Sequence, residues 1–212
     1  MDFKSSDPVD GVGTIVGPRS EDLLPSSAAA AVKIVIVGGF GVGKTTLVGS
    51  VSEIRPLTTE ETMTQAGVGV DDTAGVERKT ATTVAMDFGR ISINRELVLY
   101  LFGTPGQQRF WFLWNGLFEG ALGAVVLVDT RRIEVSFDVI GRLEERGVPF
   151  VVAMNTFPDA PSYPIDELRA ALDLPEQVPI VDCDARKRAS SRDVLMTLMR
   201  YLHAMTLNPA GA

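Results

Sequence analysis

Residues 31–46 read AVKIVIVGGFGVGKTT. A continuous β-branched run reads as a buried strand. It stops at glycines, and a helix is expected from Lys44 to about Glu53. Within this stretch Gly38 through Thr45 match G-x-x-x-x-G-K-[ST] in the strand–loop–helix context that gives the pattern its meaning. The backbone N–H groups of such a loop and of the helix start converge on phosphate oxygens. The phosphate-binding set is therefore Gly38, Gly41, Val42, Gly43, Lys44, Thr45 and Thr46. Lys44 acts as a point charge on the β and γ oxygens, and the Thr45 hydroxyl is a direct ligand for Mg²⁺. The loop alone does not separate a GTPase from an ATPase or a small-molecule kinase.

Beyond the loop the chain alternates between apolar strands and amphipathic segments. Residues 80–93 and 96–102 read as two strands joined by a tight turn at Asn94-Arg95. Further strands are expected at 121–129, 148–155 and 178–183. Helices are expected at 132–147, ending at Gly147, at 165–172 behind Pro164, and at 190–205 with Ser190 or Ser191 as its cap. This pattern predicts an α/β fold of the P-loop type. The sheet is mainly parallel and six-stranded with one antiparallel strand, and helices cover both faces. One domain is expected over residues 31–206. Residues 1–30, rich in Gly, Ser, Pro and Ala, read as a disordered tail, and 207–212 as a short C-terminal one. Residues 56–79 show no clear period.

The formal net charge of −7 argues against a sequence-independent grip on nucleic acid and against electrostatic attachment to an anionic membrane. Cys183 is the one cysteine, so no internal disulfide is possible. The single histidine, His203, falls late in the last helix and reads as solvated rather than catalytic. No apolar run suits a membrane span, and a cytoplasmic location is expected, with membrane recruitment left to a partner.

Residues 32 to about 205 resemble the Ras-like small GTPase superfamily, with the motifs in the same order. TTVAMDF (82–88) is similar to the end of the first switch. The resemblance implies that Thr83, with Thr82 and Thr80 as rivals, binds Mg²⁺ and senses the γ-phosphate. GTPGQ (103–107) resembles the second switch, D-T-A-G-Q. It implies that the Gly106 N–H meets the γ-phosphate and that Gln107 orients the attacking water. Gly103 stands where that family has an aspartate holding the metal through water. The substitutes available are Thr104, Asp87, and the acids Asp71, Asp72 and Glu77. GGFGVGKTT, DFGRI, LFGTPGQ, RFWF and CDAR together are most similar to the conservon-type GTPases of actinobacteria, and also to the gliding-motility GTPase of myxobacteria. That resemblance implies a roadblock-type small protein and a sensor-kinase-like membrane protein as partners.

In the same superfamily N-K-x-D reads guanine. VVAMNTFPD supplies Asn155, but Thr156 replaces the lysine and Pro158 takes the acid's place, so Asp159 comes one residue late. Phe157 is the alternative cover for the ring. VDCDARKR is similar to the last base loop, with Ala185 offering its N–H and Asp184 and Arg186 flanking it. The resemblance thus implies GTP or GDP with Mg²⁺ as ligands and slow hydrolysis by Gln107, with Arg78 supplying charge from within the chain. Phe40, third in the loop, is expected to crowd the attacking water. Rival readings are a nucleotide-binding scaffold with little turnover and an ATP-binding P-loop protein. The aromatic run RFWFLWNGLF (109–118) is expected to leave some rings exposed as a partner surface. The loss of the acid at 103 predicts weak Mg²⁺ binding that Gly103→Asp would tighten.

Overall fold

A computed structural model describes residues 30–64, 81–158 and 160–207, with backbone alone at 58–64, 81–85 and 108–109. The strands are β1 (Ala30–Val37), β2 (Leu57–Thr64), β3 (Ala81–Ser92), β4 (Leu97–Gly103), β5 (Ala121–Val128), β6 (Phe150–Asn155) and β7 (Ile180–Cys183). The helices are α1 (Lys44–Val51), α2 (Trp114–Phe118), α3 (Val135–Glu145), α4 (Ile165–Ala171) and α5 (Arg188–Leu207). One sheet runs in the order β2-β3-β4-β1-β5-β6-β7. β3 is antiparallel to both of its neighbours, and every other pairing is parallel.

All six strands expected from sequence are present, and β3 is the one reversed strand. The sheet has a seventh member, β2, which falls in the stretch without a legible period. LTTEETMT is a polar edge strand, and its polar residues give no alternation to read. The turn between β3 and β4 closes as expected. The Asn94 side-chain oxygen accepts from the N–H groups of Glu96 and Leu97.

Successive residues of the central strands feed opposite faces. Ile34, Ile36, Leu99, Leu101, Val125 and Leu127 pack with Leu47 and Val48 of α1 and Leu195 and Leu198 of α5. Val35, Val37, Val126, Val128 and Val152 pack on the other side with Trp114 of α2, Val139 and Leu143 of α3 and Leu168 of α4. Burial on both faces explains the unbroken apolar runs in the sequence.

Two local expectations differ from the fold. α5 begins at Arg188, so Ser190 and Ser191 lie inside it and do not cap it. The Ser190 hydroxyl instead accepts from the Asp184 N–H, and Ser191 donates to the Ala185 carbonyl. These bonds brace the loop after β7 against the helix. Residues 108–118 are not one helix: a 3-10 segment (Gln108–Leu113) runs into the short α2. The tighter winding turns Phe110, Trp114 and Phe118 inward, leaves Trp111 half-buried, and leaves Phe112 58% exposed. Most of the run is therefore core, with Phe112 the exposed remainder.

Candidate functional site

The parallel strands β1, β4, β5, β6 and β7 all end at one edge of the sheet, where ligands of open α/β folds bind. The loop after β1 makes its turn through glycines that no other residue replaces. Gly43 caps α1 at φ +105°, and a Cβ there would meet the Asn155 Nδ2 at 2.6 Å. Gly38 has φ +143°, and a Cβ there would strike the Leu127 carbonyl oxygen at 2.4 Å.

Lys44 is buried under this loop. Its Nζ donates to the Gly38 carbonyl at 2.9 Å and the Gly39 carbonyl at 2.7 Å. Burial lowers its pKa from the ordinary 10.5 to about 8, and the negative charge of Asp87 works against that fall. Thr45 and Thr46 are exposed at the start of α1. The Thr45 hydroxyl donates to Asp87 Oδ2 at 2.6 Å.

The loop after β4 lies directly on the phosphate loop. A Cβ on Gly106 would meet the Lys44 Nζ and the Phe40 N at 2.7 Å each, and the Gly39 carbonyl carbon at 2.8 Å. Only glycine permits this approach, which brings Gly106 against Lys44 and the backbone of Gly39 and Phe40. Gln107 is next, half-buried, with extended backbone. Trp114, fully buried, directs its indole N–H toward the Pro105 carbonyl at 3.4 Å and so braces this loop from beneath. Thr104 is buried, with both its N–H and its hydroxyl given to the Ile36 carbonyl. It serves strand pairing, and of the substitutes for the missing acid the structure brings forward Asp87.

Phe40 is 66% exposed, and its carbonyl accepts from an Arg132 guanidinium N–H at 3.1 Å. Sequence reading passed over Arg132. It comes shortly after buried Asp129, whose carboxylate takes two bonds from the Arg131 side chain, at 2.9 and 2.8 Å, and lies 3.5 Å from Arg132. The bonds from Arg131 hold that carboxyl below its usual range. The signal was available: a charged triplet, Asp129, Arg131 and Arg132, directly after a buried strand. A cavity of 230 Å³ lies here, lined by Phe40, Gly106, Asp129, Arg132 and Ser136 among others.

The base end is assembled from three loops. Buried Asn155 donates from Nδ2 to the Val42 carbonyl at 2.9 Å and accepts at Oδ1 from the Ala185 N–H at 3.0 Å. It ties the phosphate loop to the loop after β7. Ala185 was expected to present that N–H to the base. In this structure the Asn155 Oδ1 accepts that N–H, and Ala185 lines the cavity where the three loops meet. Asp184 is likewise engaged within its own loop. Arg186 Nε donates to it at 2.8 Å, Lys187 Nζ lies at 3.1 Å, and the Arg186 bonds hold its carboxyl well below the usual range. The Phe157 ring lies 4.0 Å from the Arg131 guanidinium carbon, a cation–π contact. Gly41, Gly43, Thr46, Asn155, Thr156, Phe157, Ala185 and Arg186 line one cavity of 150 Å³. These residues come from the phosphate loop and the ends of β6 and β7, and the fold brings them together. A larger cavity of 590 Å³, bounded by Val148, Pro149, Tyr201 and Met205, contains none of them.

Arg78, Asp159, Thr80 and the acids Asp71, Asp72 and Glu77 lie outside the described residues. Thr83 is placed only as backbone, paired with Thr62 across β2 and β3. Mg²⁺ suits the donors that are described. It keeps several waters and takes one or two protein oxygens beside phosphate; the Thr45 hydroxyl meets that requirement, with the Asp87 carboxylate accepting its proton behind it.

A family model described as a conserved hypothetical ATP binding protein matches residues 36–205. The chain is 30% identical over 126 residues to the uncharacterized protein MJ1339 of Methanocaldococcus jannaschii, a match covering 58% of this chain and 69% of that protein. It is 30% identical over 113 residues to the Ras-related protein Rab-11C of Dictyostelium discoideum, covering 52% of this chain and 41% of that one. Its fold is that of a G domain. The Arl6 BBS3 small GTPase of Trypanosoma brucei, solved with the nucleotide analogue GppNp, superposes with a TM-score of 0.57 at 18% identity, over 82% of this chain and 99% of that one.

Proposed function

The chain belongs to the family of conserved hypothetical ATP binding proteins, and from that premise we propose that it is a nucleotide-dependent switch that binds GTP with Mg²⁺ and hydrolyses it slowly. The observation that carries this reading is the seating of Gly106 against Gly39, Phe40 and Lys44. A γ-phosphate bound in the loop faces the N–H of Gly106, so its presence or loss is felt directly by the segment leading to Gln107 and the aromatic run. Loops of this kind are ordered by γ-phosphate contacts and released on hydrolysis.

Gln107 orients the attacking water and Arg78 supplies charge in this proposal. Phe40, exposed within the phosphate loop, slows the reaction by obstructing the water and any arginine entering from outside. Because the catalysis is positional, a misplacement of ~1 Å costs on the order of 100-fold. Phe112, the exposed member of the aromatic run, is the anchor through which a partner reads the state. A roadblock-type small protein and a sensor-kinase-like membrane protein are proposed as partners on the resemblance to conservon-type GTPases alone.

The second reading is ATP. It is favoured by the family's description and by the engagement of the Ala185 N–H and the Asp184 carboxylate within the protein. Identifying the nucleotide that copurifies, and then measuring single-turnover γ-phosphate release with GTP and ATP side by side, tests both. Release from GTP, faster in Phe40→Gly and slower in Gln107→Ala, is the expected result. Release from ATP alone selects the second reading, and tight binding without release from either selects a scaffold.

A further inference from the structure

In the strand that supplies a G domain's acidic metal anchor by resemblance, this chain has Gly103. Asp87 lies directly across from it in the antiparallel β3–β4 pairing. Paired residues of neighbouring strands project to the same face. A Cβ on Gly103 would meet Asp87 Oδ2 at 2.9 Å, Asp87 Cβ at 3.0 Å and Asp87 Cγ at 3.4 Å. The space that a side chain at 103 would enter is the space Asp87 occupies.

We infer that the acid has moved across the strand pair: Asp87 is the positioning residue of the metal site, and Gly103 is the clearance it needs. This rests on the reading of the loop as a Mg²⁺–nucleotide site. The chemistry is specific. A threonine hydroxyl that offers a lone pair to a cation must give its proton to an acceptor. Thr45 gives it to Asp87 Oδ2 at 2.6 Å. The bond fixes the direction in which the Thr45 lone pairs point, and a carboxylate has acceptor capacity on both oxygens with which to hold a metal-bound water as well. Asp87 is also buried and within electrostatic reach of Lys44, so its charge is not dispersed by solvent. Outer partners of this kind typically set metal affinity by about 10- to 100-fold.

This inverts the expectation from sequence that Gly103→Asp would restore a lost anchor. The new carboxylate would be driven onto the existing one, placing two like charges in one site.

The experiment is a Mg²⁺ titration of the retention of N-methylanthraniloyl GDP, with N-methylanthraniloyl ADP in parallel, on the full chain. Asp87→Asn keeps the side-chain shape and should raise the Mg²⁺ half-saturation by about 10- to 100-fold. Gly103→Asp alone should raise it as well. The double variant Asp87→Gly/Gly103→Asp, which returns the acid to the other strand, should recover most of the wild-type response. A purely structural role for Asp87 would not produce that recovery. Thermal unfolding in EDTA checks the fold of each variant, and Asp87→Ser repeats the measurement if the amide does not fold. An unchanged half-saturation in Asp87→Asn, or tighter Mg²⁺ binding in Gly103→Asp with Asp87 intact, overturns the inference while leaving the nucleotide reading in place. Wild-type protein that retains neither nucleotide at any Mg²⁺ concentration overturns both.

Discussion

The phosphate end and the base end of the cleft lie at the same edge of the sheet but are built of different material. At the phosphate end the work is done by backbone. Glycines at positive φ turn the loop, and Gly106 approaches it too closely for a side chain. Lys44 is held by two main-chain carbonyls. At the base end the work falls to side chains, and those side chains are largely engaged with each other. Asp184 holds Arg186 and Lys187, Asn155 holds Ala185, and Phe157 lies against Arg131. Phosphate is common to all nucleoside triphosphates, so a backbone cradle serves every one of them. Choosing between bases requires donors and acceptors of the right kind that are left open for the ligand. Under the proposed function, the contrast predicts firm phosphate binding with modest discrimination between GTP and ATP.

Asn155 joins the two ends, and its removal should have the largest effect. Asn155→Ala leaves a buried N–H and a buried carbonyl without their partner, each costing about 1–3 kcal/mol. Denaturant unfolding should show a loss of at least about 2 kcal/mol, and nucleotide retention should fall for GTP and ATP alike. Stability within about 0.5 kcal/mol of wild type, the range of an ordinary surface substitution, would mean that the two loops are held independently.

Lys44→Met sharpens the contrast from the phosphate side. Hydrogen bonds to charged groups are worth about 1.5–3 kcal/mol, so affinity should drop on the order of 10- to 100-fold by equal factors for GTP and ATP. A drop that differs between the bases would break the division of labour. The pKa of about 8 adds a pH signature. The folded value lies below the ordinary 10.5, so the unfolded chain binds more protons between the two. The stability of the nucleotide-free protein should therefore rise as pH goes from about 8 to about 10.5. Over the same interval nucleotide affinity should fall, because the cation that meets the phosphates is lost. Both trends should vanish in Lys44→Met.

Phe157→Ala tests the base end. Losing the ring as a cover for the base should weaken binding by about 1 kcal/mol or somewhat more, the lower range for aromatic stacking on a base. Equal losses for GTP and ATP are expected, because a ring face does not read edge chemistry. Phe112→Ala should do least of all in the isolated protein. An exposed side chain outside the core usually contributes within about ±0.5 kcal/mol, so the unfolding midpoint should stay put. A larger shift would place Phe112 in the fold rather than on a partner-facing surface.

How much of this was legible beforehand depends on the range of the forces involved. The buried strands, the phosphate loop and Asn155 could be read because each is specified by neighbouring residues or by a short motif at a strand end. The edge strand β2 could not, since a polar strand at the rim of a sheet needs no apolar alternation. Ser190 and Ser191 resembled a helix cap, yet the helix starts at Arg188 and they brace the β7 loop instead. The aromatic run was legible as a cluster but not as a geometry. Its 3-10 winding, with Trp114 buried beneath Pro105, depends on what α2 packs against.

By itself the sequence determined that this chain builds a phosphate loop between a buried strand and a helix, because glycine dihedrals, apolar runs and helix starts are local. It also determined that position 103 carries no acid. Only the tertiary structure decided what that absence means. Asp87 and Gly103 are on different strands and face each other solely through the register of β3 on β4. That register is set by hydrogen bonding along the whole strand pair, so no short stretch of sequence reveals that a carboxylate fills the space the glycine leaves open.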